Sequence, residues 1–392
     1  MEEEQTVQLS TEGVCEEVKS AMSSKGSDVA SGGRLVSLDA LRGFDMFWII
    51  GGAVIFTSLD KIFHHPVTAF INQQLKHVEW EGFRFEDLIM PLFLFIVGVA
   101  MPFSFKKRLG RGDSKKTLYL HIIKRVLILW ILGMMAQGRL LEYDFSKLRL
   151  YCNTLHSIAA GYLISSLIML NMKPIWQIIT TVVLMLLFWA LMTFVPVPGH
   201  GAGILKPDVN FAIYVEELVM GRFFSSGSGY TWVLSSITFT ATVMLGVLAG
   251  HLLRSEKTEL AKFFWLFALG IGCLLLGMVW SNWFPIIKHL WTSSMVLLAG
   301  GWSYLLLALF YLIIDVWAFK KWAFGFVVIG MNAIAVYMSV QLFNFRNIGN
   351  IFVGGLSERL GDWNGLVQAI AAFAVIWLIL YWMYRKKTFI KI

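Results

Sequence analysis

Charged residues are scarce in this chain. Only 15% of its 392 residues are Asp, Glu, Lys or Arg, against 57% hydrophobic ones, and the mean hydropathy is +0.67. That balance excludes an ordinary soluble domain and fits a polytopic helical membrane protein. Cysteine is scarcer still. Cys15, Cys152 and Cys273 lie far apart and make no CxxC or Cys/His pattern, which argues against a disulfide framework or a structural zinc site. Basic and apolar residues are few at the start as well: residues 1–33 are polar, rich in Glu, Ser and Gly, and read as a disordered cytosolic tail, not as a signal peptide. No internal repeat stands out, and no soluble domain beyond that tail. The stretch Gly199-His200-Gly201-Ala202-Gly203 follows no strand and opens no helix, so it is no dinucleotide fingerprint. His64 and His65 are adjacent and lack the i, i+4 spacing of a helical metal pair; no metal is expected.

What the chain has in abundance is long apolar runs. A helix needs roughly 20 mostly apolar residues to cross a bilayer. Ten segments qualify: 38–59, 86–105, 119–138, 153–171, 174–195, 231–253, 260–280, 290–314, 322–345 and 363–384. Only Asn171-Met172-Lys173-Pro174 separates the fourth from the fifth, and the proline there starts a new helix and stops any continuous one. The expected fold is all-α, a single membrane bundle of about ten helices over residues 34–392. Sixteen Trp and 31 Phe suit the interfaces and lipid-facing surface of a protein whose main partner is the lipid bilayer.

Lys and Arg set the orientation. Lys106, Lys107, Arg108, Arg111, Lys115 and Lys116 crowd the short loop after span two. Lys173, Arg254, Lys257, Lys320, Lys321, Arg385, Lys386, Lys387 and Lys391 fall on the same side if ten spans alternate. The positive-inside rule then puts both termini in the cytoplasm and the loops 60–85, 139–152, 196–230, 281–289 and 346–362 outside. The net charge of +8 is therefore a topology signal, and nucleic acid is not an expected partner.

A few polar residues fall inside spans. Asp39, Arg42 and Asp45 recur every third residue on one face of span one, where the Arg can pair with either carboxylate. Asp39 and Arg42 can snorkel to the interface. Asp45 is deeper and needs a partner or a wet cavity; a cavity is the expectation. Arg125, with Lys124 and His121, opens span three where snorkelling is the default. His156 reads as a packing histidine, Asn332 as interhelical glue beside Tyr337, and Gly246 with Gly250 as a helix-packing face.

The sharpest candidate is His77, in Leu75-Lys76-His77-Val78-Glu79-Trp80-Glu81-Gly82-Phe83 at the mouth of span two. Glu79, Glu81, Glu86 and Asp87 lie within ten residues, and any one could hold the tautomer of the imidazole. Gly82 turns the segment back toward the bilayer. A titratable imidazole so placed can do proton-transfer chemistry near pH 7.

These residues resemble the heparan-alpha-glucosaminide N-acetyltransferase family and its bacterial relatives among ten-helix transmembrane acyltransferases. The resemblance rests on four pieces in order: Arg34-Leu35-Val36-Ser37-Leu38-Asp39-Ala40-Leu41-Arg42-Gly43; Lys76-His77 with Trp80-Glu81-Gly82 and Asp87-Leu88-Ile89-Met90-Pro91; Leu290-Trp291-Thr292-Ser293-Ser294; and Gly330-Met331-Asn332 with Tyr337. It implies acetyl transfer from cytosolic acetyl-CoA across the membrane to the free amine of a terminal glucosamine, in a bacterial inner membrane, and it allows for a homodimer. His77 falls on the family's active-site histidine, with Asp45 and Asp87 as further catalytic candidates. Asp39, Arg42, Glu79, Trp80, Glu81 and Asn332 become candidates for holding the amino-sugar or glycan acceptor. Where eukaryotic members carry an assisting Asn, this chain has Gly51-Gly52-Ala53, and it has a short tail in place of their large outer domain.

Elementary chemistry is compatible with this. Lys106, Lys107 and Arg108 with Arg125 suit the phosphates of a CoA nucleotide. An imidazole can deprotonate the acceptor amine, or can itself be acetylated first. A transporter or flippase for a sugar or lipid-linked glycan is the alternative, and it predicts inverted repeats and matching broken helices.

Overall fold

The structure is a computed structural model that describes residues 35–224 and 229–390; the tail expected over 1–33 lies outside the described residues. Among these, nine helices are long and apolar enough to cross a membrane, and the number is ten when one bent pair is counted as a single span. The all-α, ten-span reading holds, and the chain is an integral membrane protein. The crossings begin with α1 (Val36–Phe63). A short α2 (Pro66–Gln74) follows, then α3 (Phe85–Leu109), α4 (Lys115–Ala136), α5 (Thr154–Asn171) and α6 (Pro174–Phe194). After α7 (Phe211–Met220) come α8 (Ser236–Leu253), α9 (Glu259–Trp280) and α10 (Ser293–Val316), then the bent pair α11 (Lys321–Gly330) and α12 (Ala333–Leu342). The chain closes with α13 (Phe345–Ser357) and α14 (Asn364–Arg385). As expected, Pro174 opens α6 at its first helical position, where its missing N–H costs nothing.

Helices α3, α8 and α10 are the buried centre, and α1, α4, α6 and α9 are mostly exposed around them. The centre closes because it lacks side chains where backbones meet. A Cβ on Gly98 would strike the carbonyl of Val243, and one on Gly246 or Gly250 would strike those of Phe95 or Val99. The Gly246/Gly250 face is thus the α3–α8 contact, where dispersion between close backbones holds helices together without a hydrophobic driving force. The same device joins α1 to α11, with Gly43 against Phe326 and Gly330 against Asp39.

Two expectations change. The ninth span is not straight: α11 and α12 meet at 62° across Met331 and Asn332. The Asn332 side chain bonds the backbone of Thr388 and Ile390, so it serves the break, not a neighbouring span. The 346–362 loop is mostly the helix α13. Gly349 there lets the backbone of Ala371 and Ala372 approach, so the segment lies along α14 with Ile351 and Phe352 exposed. Its asparagines, Arg346 and glycines hide a helix whose packing partner is the last span.

Contacts of Gly82 with Ile286, Trp80 with Leu205 and Tyr151 with Ser236 gather the connections 64–84, 137–153 and 281–292 and the described parts of 195–235 at one end of the bundle, with the start of α3. The lysine-rich turn after α3 is at the other end.

Candidate active site

The start of α3 is built around one carboxylate. Arg84 is extended and caps the helix, and Asp87, in the first turn, accepts its backbone N–H through Oδ2 at 3.1 Å. A carboxylate here also meets the positive end of the helix dipole. The same oxygen faces the N–H of Val78 at 3.4 Å, which ties the incoming segment to the helix. The guanidinium of Arg84 reaches the His77 carbonyl at 3.2 Å, and Gln74 accepts from the Phe85 N–H. The loop is therefore fixed at both sides of His77.

Oδ1 of Asp87 then stands 3.0 Å from Nδ1 of His77. Of the four carboxylates that could orient the imidazole, Asp87 is the one that does. The two differ sharply in burial: the His77 side chain is 51% exposed and that of Asp87 2%. A half-exposed imidazole held by a buried carboxylate at Nδ1 leaves Nε2 for a substrate, the arrangement of an oriented base or nucleophile.

Sequence reasoning missed the third member. Lys288, from the 281–292 connection, puts Nζ 3.3 Å from Asp87 Oδ1 and 3.1 Å from His77 Nδ1. Its side chain is only 8% exposed. Burial pulls the pKa of this ammonium below the ordinary lysine value, while Asp87 and Glu86 hold it up. Two short main-chain contacts bring it there: the Gly82 N–H donates to the Ile286 carbonyl at 2.9 Å, and Glu81 bridges Ile287. Gly82 has φ +124°, a region open to glycine, and this is why the chain can turn at that point. Lys288 lies 211 residues from His77, so no local motif announces it.

An aromatic wall continues the site. Trp80 donates its indole N–H to the Leu205 carbonyl at 2.8 Å and stacks on His289, ring centroids 5.2 Å apart. Tyr230 packs against the same imidazole at 4.1 Å. Burial first, and Lys288 second, lower the His289 pKa to about 4, so that ring is neutral at pH 7. Glu216 on α7 is fully buried and accepts the N–H groups of Trp232 and Val233 at 3.1 and 2.8 Å. Burial raises its pKa to about 7. Glu216 and Glu217 stand side by side in a long connection between spans, and nothing in the sequence marks the first as the buried one.

The other candidates are dispersed. Glu79 and Glu81 are exposed at the rim. Asp45 is fully buried, and neither of its oxygens has a hydrogen-bond partner among the described residues. Its charged neighbour is Glu86, brought close as Trp48 packs on Phe85 at 5.0 Å; Glu86 Oε2 and Trp48 Nε1 are likewise buried and unbonded. Just beyond, α1 relaxes into a π-turn over Trp48–Gly52, with Gly51 at φ 150°. Asp39 and Arg42 pair at 3.3 Å, and Asp39 lies against Gly330, apart from His77. Asn332 is occupied by the C-terminal residues, as described.

At the opposite end of the bundle, a cavity of about 390 Å³ opens between α3, α5 and α8. Its cationic residues are Lys106 and Arg254, and His251 lies beside them. Arg254 also bonds the Pro102 carbonyl at 2.8 Å, and His251 bonds Gln177 at 3.1 Å. Lys106 is the one member of the expected donor set that lines it. Arg108 pairs with Asp113 at 3.6 Å, and the Arg125 guanidinium lies 4.3 Å over the Tyr162 ring. Arg254 reads in the sequence, with Lys257, as an orientation signal, and a single His251 at a helix end gives no signal of its own.

Fold and site together define a polytopic all-α membrane protein with an oriented histidine at one mouth and a basic cavity at the other. The chain belongs to the family described as a domain of unknown function, DUF5009, whose model matches residues 34–302. It is also similar to heparan-alpha-glucosaminide N-acetyltransferase of mouse, 28% identical over 377 aligned residues that cover 81% of this chain and 56% of the relative. The human protein of the same name is 27% identical over the same extent. The resemblance read from the motifs is borne out, and the chain spans about half the length of those curated relatives.

Proposed function

We propose that this chain is an acetyl-CoA-dependent N-acetyltransferase that acylates the free amine of a terminal amino sugar on a glycan, with His77 and Asp87 at the reacting centre. The observation that carries this is the 3.0 Å contact between His77 Nδ1 and the buried Asp87 carboxylate, in a chain whose relatives are named N-acetyltransferases. The acceptor approaches at the His77 end, where Trp80, Glu79 and Glu81 form the rim. The donor enters at the other end, where Lys106 and Arg254 in the basic cavity suit its phosphates. Its long thiol arm must then run along the bundle toward His77.

As base, His77 takes a proton from the acceptor nitrogen as that nitrogen attacks the thioester carbon; the C–N bond forms, the C–S bond breaks, and the proton passes to the CoA thiolate. As nucleophile, His77 Nε2 attacks the thioester carbon and expels the CoA thiolate; the amine then attacks the acyl-imidazole, the N–C bond to His77 breaks, and the amine proton returns to the imidazole. Both routes need a neutral imidazole with a free Nε2. In this reading the basic end is cytoplasmic, both termini with it, and His77 faces outward in a bacterial inner membrane.

The test is an acetyl-CoA assay on purified protein in detergent with a panel of amino-sugar acceptors. Release of CoA that depends on a free amine supports the proposal; no turnover with any amino sugar overturns it. A second reading, transport of a sugar or lipid-linked glycan, is favoured by the broken α11–α12 crossing, since transporter sites are built on discontinuous helices. Counterflow of labelled amino sugar in proteoliposomes without acetyl-CoA would support that reading instead.

A further inference from the structure

His77 Nδ1 lies within hydrogen-bond reach of two groups of opposite charge, the Asp87 carboxylate at 3.0 Å and the Lys288 ammonium at 3.1 Å. A neutral imidazole has one N–H and cannot satisfy both. If Nδ1 is bare, Lys288 donates to it, Nε2 carries the hydrogen, and the exposed nitrogen can neither accept a proton nor attack a carbonyl. If Nδ1 carries the hydrogen, it donates to Asp87 and Nε2 presents its lone pair. Lys288 is then satisfied by Asp87 Oδ1 at 3.3 Å. Only the second arrangement gives every group a partner of the right sign. A protonated ring fares worse, because it sets two cations 3.1 Å apart around one carboxylate.

We propose that Lys288 is a positioning residue that keeps the His77 imidazole neutral and, by its hold on Asp87, leaves Nε2 as the free nitrogen. This role rests on the reading of His77 as base or nucleophile, but its physical content is a property of the imidazole and is measurable without substrate. The charged and titratable groups facing the ring are few. Asp87 and Glu86 come from α3, and Lys288 and His289 from the 281–292 connection; Tyr230 packs on His289, and Arg84 sits on the His77 carbonyl. His289 is neutral near pH 7, which leaves Lys288 as the buried cation that opposes the ring's protonation. A neutral ring is the form that attacks. In the acetylated route, a cation beside the ring also makes acyl-imidazole a better acyl donor.

The test follows the reactivity of His77 with diethylpyrocarbonate, which modifies only neutral imidazole, by mass spectrometry across pH in intact protein. Removing the cation in Lys288→Met should raise the His77 midpoint by about one pH unit or more, while Lys288→Arg should leave it near that of the unmodified chain. Asp87→Asn, which removes the anion in contact with both groups, should move it the other way. A folded Lys288→Met protein with an unmoved midpoint overturns the role. If that variant does not fold, Lys288→Gln together with Asp87→Asn decides, and shifts of the same sign in both overturn it. Acetyl transfer is measured in parallel. Shifts as expected with no transfer by the unmodified chain would sink the acetyltransferase reading and leave the role of Lys288 standing. Transfer with an unmoved midpoint would do the reverse.

Discussion

Gly82 donates its backbone N–H to the carbonyl of Ile286 at 2.9 Å, and that bond sets the register at which two connections far apart in sequence meet. With Glu81 opposite Ile287, Lys288 arrives beside His77 and His289 beneath Trp80. The candidate site is a product of loop pairing at the end of a membrane bundle, and the following expectations come from that construction.

His77→Ala should fold, insert and bind CoA, because its side chain is half exposed and contributes little burial. Transfer should fall by about two orders of magnitude or more. Steady-state CoA release with a thiol reagent, beside size-exclusion profiles, reads both. Near-normal turnover in a well-folded variant would remove His77 from the mechanism.

Asp87→Asn should cost both activity and stability. Its carboxylate orients His77 and caps α3 through Arg84. Loss of the orienting anion should lower kcat about 10–100-fold, and the weakened cap should cost about 1–2 kcal/mol. Asp45→Asn should leave the cap intact, so thermal unfolding in detergent separates the two. Equal melting shifts in both variants would refute the cap.

Glu216 gives a pH signature. Its folded pKa of about 7 lies above its ordinary value because of burial, so the folded state favours the protonated form. The stability it contributes is full at low pH and is lost as pH rises toward 7. Glu216→Gln should flatten the melting temperature between pH 5 and 8. An unchanged slope would show that another group governs it.

Lys106→Ala with Arg254→Ala should raise the apparent KM for acetyl-CoA and leave that of the acceptor nearly unchanged. Both residues line the basic cavity, and a charge-assisted contact is worth about 1.5–3 kcal/mol. Lys107 and Arg108 do not line it, and their reversal should matter much less. The reverse ranking, from initial rates at varied acetyl-CoA, would move the donor out of the cavity.

Much of the fold was legible because lipid makes membrane helices announce themselves. Apolar runs, Pro174 and the Gly246/Gly250 spacing each carry a local physical cause. What escaped was set by tertiary contact. The Asn332 break depends on C-terminal backbone groups 56 and 58 residues away, and α13 depends on the surface of α14. At the site, His77 and Asp87 are ten residues apart and could be read together. Lys288 and Glu216 could not, since a buried Lys in a loop looks like any other until its partner is seen.

The separation of His77 and Lys288 also has a consequence in time. A ribosome that adds about 5–20 residues per second takes on the order of 10–40 seconds to travel from one to the other, and six membrane helices, α3, α4, α5, α6, α8 and α9, are complete in that interval. The histidine thus leaves the ribosome long before its lysine exists. Asp87 can hold it early, but the triangle closes only when the 281–292 connection has been made. A chain stalled before that point would be largely helical yet would lack the triangle, so the candidate site is completed only after most of the bundle has been built.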